Sequence, residues 1–465
     1  MDILIRGGQL LLALAILVTL HEFGHFIPAR LFKTRIERFY LFFNPWFSLV
    51  RFKKIEGKWQ TSWLSKEAPS HWGEHTNTTE WGFGWLPLGG YVKIAGMIDE
   101  SMDKEQLKLP AQEWEFRSKK TWQRLIIMVG GVVVNLILGF VIYIGVLAYY
   151  GQDKLNFSEL EHGLSAHPAL EKYHIYSGDI VTKVEGNAAL NLDDINKGIM
   201  FRGVRNLEVK HADGKTEQIH LPKDVDYELF HAGAMQAFSL RSEKVVVEEV
   251  VAGTAAAKVQ LKKGDVILAA NGQDLHYFDE LQVALYKNKG KKIELLIKRK
   301  AKEMILIPSI SKEGTIGFQT KTKLGKDSLA IHHVYYGFGK SISLGSKYGI
   351  NTLTDYISQF KFVFTKKGAS SVGGFASIGK MFDPQWEWES FWLNTALLSI
   401  ILAFMNILPI PALDGGHVIF LIYEMITGKE APQKVLETAQ MIGIFLLLGL
   451  MIYANGNDIF RFFFK

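Results

Sequence analysis

The sequence, 465 residues long, predicts a polytopic α-helical membrane protein with four transmembrane helices, a β-hairpin that enters the membrane, and two tandem α+β domains outside it. Three observations carry that expectation. Apolar runs at about residues 3–31, 125–150, 391–413 and 435–454 are each long enough to cross a hydrocarbon core of about 30 Å. A stretch rich in glycine and aromatic residues, at about 81–95, is apolar but too short and broken to span. Residues 151–323 have ordinary soluble composition and repeat internally.

Bulk properties narrow the function classes. The formal net charge of +6 is mild and no long Lys/Arg tract occurs, so nothing favours nucleic acid as a partner. Cysteine is absent, which excludes disulfides and thiolate metal sites. Any metal site must therefore use His, Asp or Glu.

The first segment, 1–31, opens like a signal peptide, with Arg6 before an apolar run. The one A-x-A, Ala13-Leu14-Ala15, lies inside that run, so the segment reads as a retained helix. It carries His21-Glu22-Phe23-Gly24-His25, an H-E-x-x-H. On a helix His21 and His25 are i, i+4 neighbours on one face and can grip one metal ion, with Glu22 close enough to reach a water as general base. That pattern is the arrangement of a zinc peptidase. The bland alternative, interfacial histidines at a helix end, conflicts with the cost of titratable groups at membrane depth.

Residues 32–120 form a loop flanked by Lys33, Arg35 and Arg38 at one end and Arg117, Lys119, Lys120 and Arg124 at the other, which marks it as cytoplasmic. Within it, short strands either side of Pro87 to Gly90 predict a hairpin. At membrane depth such a hairpin must be buried in protein or line a wet cavity, and it would offer a strand edge toward the metal. A hairpin lying on the membrane surface is the competing reading. The second transmembrane helix, 121–150, carries Gly131 and Asn135 four residues apart, a stripe that favours close helix packing.

In the soluble stretch, Gly178-Asp179 and Gly264-Asp265 open matching runs, each followed by a helical segment and two strand-like segments. The run resembles PDZ domains of the circularly permuted bacterial kind, with boundaries at 151–232 and 233–323. PDZ domains capture extended peptides by strand addition, so peptide C-termini are the implied ligands; two inert spacers are the alternative. Residues 324–390 follow. Leu353, Tyr356, Ile357, Phe360, Val363 and Phe364 form an amphipathic stripe, expected at the outer membrane interface or, alternatively, on the second PDZ unit.

The third transmembrane segment, 391–424, contains Asn406-Ile407-Leu408-Pro409-Ile410-Pro411-Ala412-Leu413-Asp414-Gly415-Gly416-His417. Two prolines break the hydrogen-bond ladder, so the break must face protein or trapped water. Asp414 is the natural third ligand beside His21 and His25, with His417 as a rival and a simple capping role as the alternative. A fourth transmembrane helix spans 435–457, with Lys429 and Lys434 keeping the loop before it cytoplasmic.

Together the H-E-F-G-H, the loop ending Pro87-Leu88-Gly89-Gly90-Tyr91-Val92-Lys93, the tandem repeat, and the N-x-x-P-x-P-x-L-D-G-G from Asn406 resemble the site-2 proteases over nearly the whole chain. The resemblance implies one zinc ion on His21, His25 and Asp414, and Glu22 as the catalytic base. It implies substrate contacts at Asn406 and the break at Pro409 and Pro411, and along Phe83, Gly84, Gly89, Gly90 and Tyr91. It also implies a bacterial inner-membrane location, PDZ domains in the periplasm, and an active site toward the cytoplasm. The implied substrates are pre-trimmed transmembrane proteins, an anti-sigma factor and remnant signal peptides among them. Two sequence variants stand out, Gly131-Val132-Val133-Val134-Asn135 and Ser371-Val372-Gly373-Gly374-Phe375. A zinc transporter or sensor, and a non-catalytic membrane PDZ receptor, are the readings from other classes.

Overall fold

The computed structural model describes residues 2–464 apart from 88, 98–109, 190, 235, 321–327 and 329, with backbone alone at 366 and 462–464. The chain divides into two compact units. The first comprises residues 1–150, 336–357 and 368–462; the second comprises 151–335, 358–367 and 463–465.

The first unit begins with helix α1, Asp2–Leu31. Five strands follow: β1 (Ile36–Leu41), β2 (Ser48–Ile55), β3 (Lys58–Ser65), β4 (Glu80–Phe83) and β5 (Tyr91–Ile94), in the sheet order β3-β2-β4-β1-β5. Helix α2 is Thr121–Tyr149. Glycines let α1 and α2 touch: a Cβ on Gly24 would lie 2.4 Å from the Gly130 carbonyl oxygen, and one on Gly130 would lie 2.0 Å from that of Gly24.

The expected hairpin at 81–95 is not one. β4 pairs parallel with β1, and β5 pairs antiparallel with the other edge of β1, so β1 separates them. The connection explains why. After β4 the chain folds back on β1's end: the Gly84 amide donates to the Leu41 carbonyl at 2.8 Å, and Phe43 and Leu86 exchange bonds of 3.1 and 3.0 Å. That bridge sends β4 and β5 to opposite sides of β1. The hairpin in this region is β2–β3 instead, turning at Glu56-Gly57, where φ is +48° and +83° as a type I′ turn requires.

The second unit contains two hydrophobic cores. Around the first lie β6 (Gln152–Leu155), β7 (Leu164–Ala166), β8 (Ile180–Val184), β9 (Asn187–Ala188), α3 (Leu192–Phe201), β10 (Asn206–Lys210), β11 (Thr216–His220), α4 (Val225–Ala232) and β12 (Phe238–Leu240). Around the second lie β13 (Val245–Val250), α5 (Ala255–Lys258), β14 (Val266–Ala270), β15 (Gln273–Asp274), α6 (Phe278–Lys287), β16 (Leu295–Arg299), β17 (Lys302–Leu306) and β18 (Phe318–Thr320). The internal repeat has a structural counterpart: β8-β9-α3-β10-β11 and β14-β15-α6-β16-β17 run in the same order. In both, the aspartate of the Gly-Asp pair is buried and accepts the amide three residues back, Tyr176 and Lys262, at 2.8 Å.

The boundary expected at 232/233 falls inside the first core. β12 pairs with β7, and Ala234, Ala237 and Phe238 are buried with it. Gly233, at φ +94°, ends helix α4 but not the module. The first core also takes in Ala330 and Phe362 from far along the chain.

Residues 324–390 are not all helix. β19 (Ile331–Val334) pairs with β6, and residues 324–327 of this stretch lie outside those described. Helices α7 (Phe338–Val363), α8 (Lys366–Ala369) and α9 (Phe375–Gly379) follow. Of the amphipathic stripe on α7, Tyr356 meets Phe404 at 5.6 Å within the first unit. Beyond it Phe362 stacks on Phe230 at 4.5 Å and Lys361 pairs with Asp226, so this end packs on the first repeat, not the second.

Helix α10, Trp388–Ile407, stops where Pro409 and Pro411 remove backbone donors, and α11, Asp414–Thr427, restarts after a turn in which Ala412 has φ +77°. The third segment is therefore two helices rather than one from 391 to 424. Helix α12, Gln433–Phe464, extends past both expected ends of 435–457. Among the described residues, α1, α2, α10 and α12 are long and apolar enough to cross a membrane.

Candidate metal centre

The site lies where α1, α2, the edge strand β5 and the break between α10 and α11 meet, around a cavity of about 580 Å³. The H-E-x-x-H spacing on α1 puts His21 and His25 on one face, their rings edge to face with centroids 4.8 Å apart. Asp414 arrives as the first residue of α11. It is held there by close approach of the next residue to the turn: a Cβ on Gly415 would lie 2.1 Å from the Leu408 carbonyl oxygen.

Three atoms converge. His21 Nε2 and His25 Nε2 are 3.2 Å apart, and Asp414 Oδ2 lies 3.3 Å from the first and 3.4 Å from the second. Asp414 Oδ2 is buried and makes no hydrogen bond among the described residues. His25 Nδ1 lies 2.8 Å from the carbonyl of Ile127, which can only accept, so a proton sits on Nδ1 and a neutral His25 presents the lone pair of Nε2. Acceptors facing one another in a buried site call for a cation. The separations match the edge of a tetrahedron with metal–ligand bonds of 2.0–2.1 Å, which is about 3.3 Å. Among the described residues this is the one cluster of His and carboxylate groups suited to a metal. His417, the rival ligand, lines the cavity but is outside the cluster.

Glu22 lines the cavity beside the cluster, within reach of the Val92 backbone amide. Asn406 places Nδ2 3.4 Å from His21 Nε2. Gly89, Gly90 and Tyr91 also line the cavity, and Gly90 has no room for a side chain: a Cβ would lie 2.6 Å from the Tyr40 carbonyl oxygen and 2.9 Å from Val18. Phe83, Gly84, Pro409 and Pro411 do not line it. β4, which carries Phe83, is paired on both edges and has none to offer, and Gly84 is wedged against the Phe43 carbonyl. The prolines act by ending α10 rather than by facing the cavity.

Sequence reasoning passed over two lining residues. Asn135 on α2 read as a packing residue, yet its amide nitrogen lies 3.2 Å from His21 Nδ1. The available signal was an amide in the middle of a charge-free span. Gln440, buried on α12, had no comparable signal, because its position depends on how a distant helix docks.

The chain matches the model of a family described as peptidase family M50 over residues 9–65 and 67–450. Among its relatives is "Protease RseP" of Yersinia pestis, 27% identical over 99% of this chain and 100% of the relative. "Regulator of sigma E protease" of Haemophilus influenzae is 25% identical over 98% of each. A protein of Xylella fastidiosa, named as a candidate zinc metalloprotease, is 26% identical over 98% of this chain and 99% of the relative.

Proposed function

The chain belongs to peptidase family M50, the site-2 proteases, and is a membrane metalloprotease; from that premise we propose that it hydrolyses peptide bonds inside transmembrane helices with one zinc ion held by His21, His25 and Asp414. The observation that supports this best is the triangle of two imidazole nitrogens and a carboxylate oxygen, 3.2 to 3.4 Å on a side, with a second carboxylate beside it. Zinc, when bound, polarises the scissile carbonyl and makes water acidic enough to ionise near neutral pH.

The chain's own groups do the rest. Glu22 takes the proton from the attacking water and passes it to the leaving nitrogen. A substrate helix has its carbonyls sealed in internal hydrogen bonds and must unwind first. Unwound backbone in a membrane needs new partners, each missing one costing several kcal/mol. The edge formed by Gly89, Gly90 and the first residues of β5, Tyr91 and Val92, and the Asn406 amide supply them, with the substrate adding as a further strand. The Val92 amide now facing Glu22 is one of the groups such a strand would engage.

The two repeats of the second unit act as tandem PDZ domains on the periplasmic side of the bacterial inner membrane, binding peptide C-termini or acting by bulk alone. They admit substrates whose outer domain has already been trimmed. An anti-sigma factor and remnant signal peptides are the proposed clients, and the relative named as a regulator of sigma E supports the first of these.

Purified full-length protein in proteoliposomes tests the chemistry. Glu22→Gln is expected to abolish cleavage of a labelled transmembrane peptide, at least 10³-fold, while the protein keeps its zinc. Cleavage that persists would remove Glu22 as the base.

A further inference from the structure

Both site histidines turn their second ring nitrogen toward α2. For His25 the partner is the Ile127 carbonyl, at 2.8 Å. Two turns further along the same face is Asn135, whose side-chain amide meets His21 Nδ1 at 3.2 Å. Gly131 lies between them, and the rings come so close that a Cβ there would sit 2.5 Å from His25 Nε2 and 2.6 Å from His21 Cε1. α2 thus presents a carbonyl, a bare backbone and an amide in register with the two imidazoles.

Asn135 is 1% exposed, and its Oδ1 is buried without a hydrogen-bond partner among the described residues. Its position is fixed from behind, because the buried Ser399 hydroxyl on α10 donates to the Asn135 backbone carbonyl at 2.6 Å. His21 Nε2 is one corner of the triangle, and with that nitrogen as the metal ligand the proton of a neutral imidazole is on Nδ1. As drawn, Nδ1–H would then meet the NH₂ of Asn135, donor against donor. The oxygen and nitrogen of a carboxamide are told apart only by their hydrogen bonds. Turned by 180°, the amide places Oδ1 against Nδ1–H and gives the partnerless acceptor a donor.

We propose that Asn135 is a positioning residue that accepts the His21 Nδ1–H on its side-chain carbonyl, holding His21 in the tautomer and orientation that direct Nε2 at the metal. This rests on the metal-centre reading above. Asn135 would do for His21 what the Ile127 carbonyl does for His25. Groups that orient a ligand in this way change metal affinity about 10- to 100-fold when removed.

The test measures zinc affinity of the full-length protein by chelator competition, independently of cleavage. Asn135→Leu, with the same number and branching of side-chain heavy atoms but unable to accept, is expected to bind zinc at least 10-fold more weakly. Asn135→Asp, which keeps an acceptor, should stay within about threefold of wild type. Equal affinity in wild type and Asn135→Leu would overturn the proposal while leaving the metal centre intact, provided His21→Ala still loses zinc. If His21→Ala also binds zinc normally, the metal-centre reading falls and this proposal with it. Because Asn135→Leu could fail to fold, ¹⁵N-histidine NMR of the zinc-loaded wild type gives a second readout. It should show His21 protonated at Nδ1 and metal-bound at Nε2; ligation through Nδ1 would overturn the proposal.

Discussion

One methyl group decides whether the imidazoles and α2 can share the site. At Gly131 an added Cβ would meet His25 Nε2 at 2.5 Å and His21 Cε1 at 2.6 Å. Gly131→Ala must push one ring away or part α1 from α2, and we expect zinc affinity at least 10-fold below wild type by chelator competition. His167, in the second unit, shows how protonation acts on a single residue. Its Nδ1 accepts the Ala169 amide at 3.2 Å, capping the turn Pro168–Tyr173. Burial first, and Lys289 second, lower its pKa to about 4, against about 6.5 for an unfolded histidine. The unfolded chain therefore binds more protons between those values. The stabilisation is complete above pH 6.5 and is lost as pH falls toward 4. Hydrogen exchange across residues 164–175 of the full-length protein should accelerate over that range beyond its intrinsic pH dependence. His167→Asn, which keeps an acceptor and cannot titrate there, should remove the excess.

At the level of elements, strand order is what gives the site an edge. β5 is the terminal strand of β3-β2-β4-β1-β5, so one row of its backbone groups is left over to face the cavity. Gly90 lets it approach α1. Gly90→Val should displace β5 and reduce cleavage of a membrane helix at least 10-fold with zinc content unchanged; an equal loss of zinc would mean that the strand supports the metal rather than the substrate. Local sequence could not reveal this arrangement. The apolar alternation on either side of Pro87 reads as two strands, and two strands are indeed there. Their common partner, β1, was fixed by pairing across tens of residues, which periodicity does not report. The same holds for β12, whose partner β7 lies far back in the chain, and for the boundary it moved.

Across the whole molecule, the cluster of His21, His25 and Asp414 was the most legible feature because each half is written locally. His21 and His25 are tied by helical spacing, and Asp414 stands beside a proline break that lipid alone could not accommodate. The four long apolar helices were equally plain, since length and apolarity suffice to find them. What needed coordinates was the part set by helix docking: Asn135 against His21, and Gln440 at the cavity wall. On the proposed function, residues near the two ends of the chain hold one ion between them. Zinc content of the purified full-length protein tests it directly, wild type against Asp414→Ala. About one zinc per chain in the wild type and a small fraction of that in Asp414→Ala is the predicted result. Full zinc in both, with unchanged affinity, would contradict it.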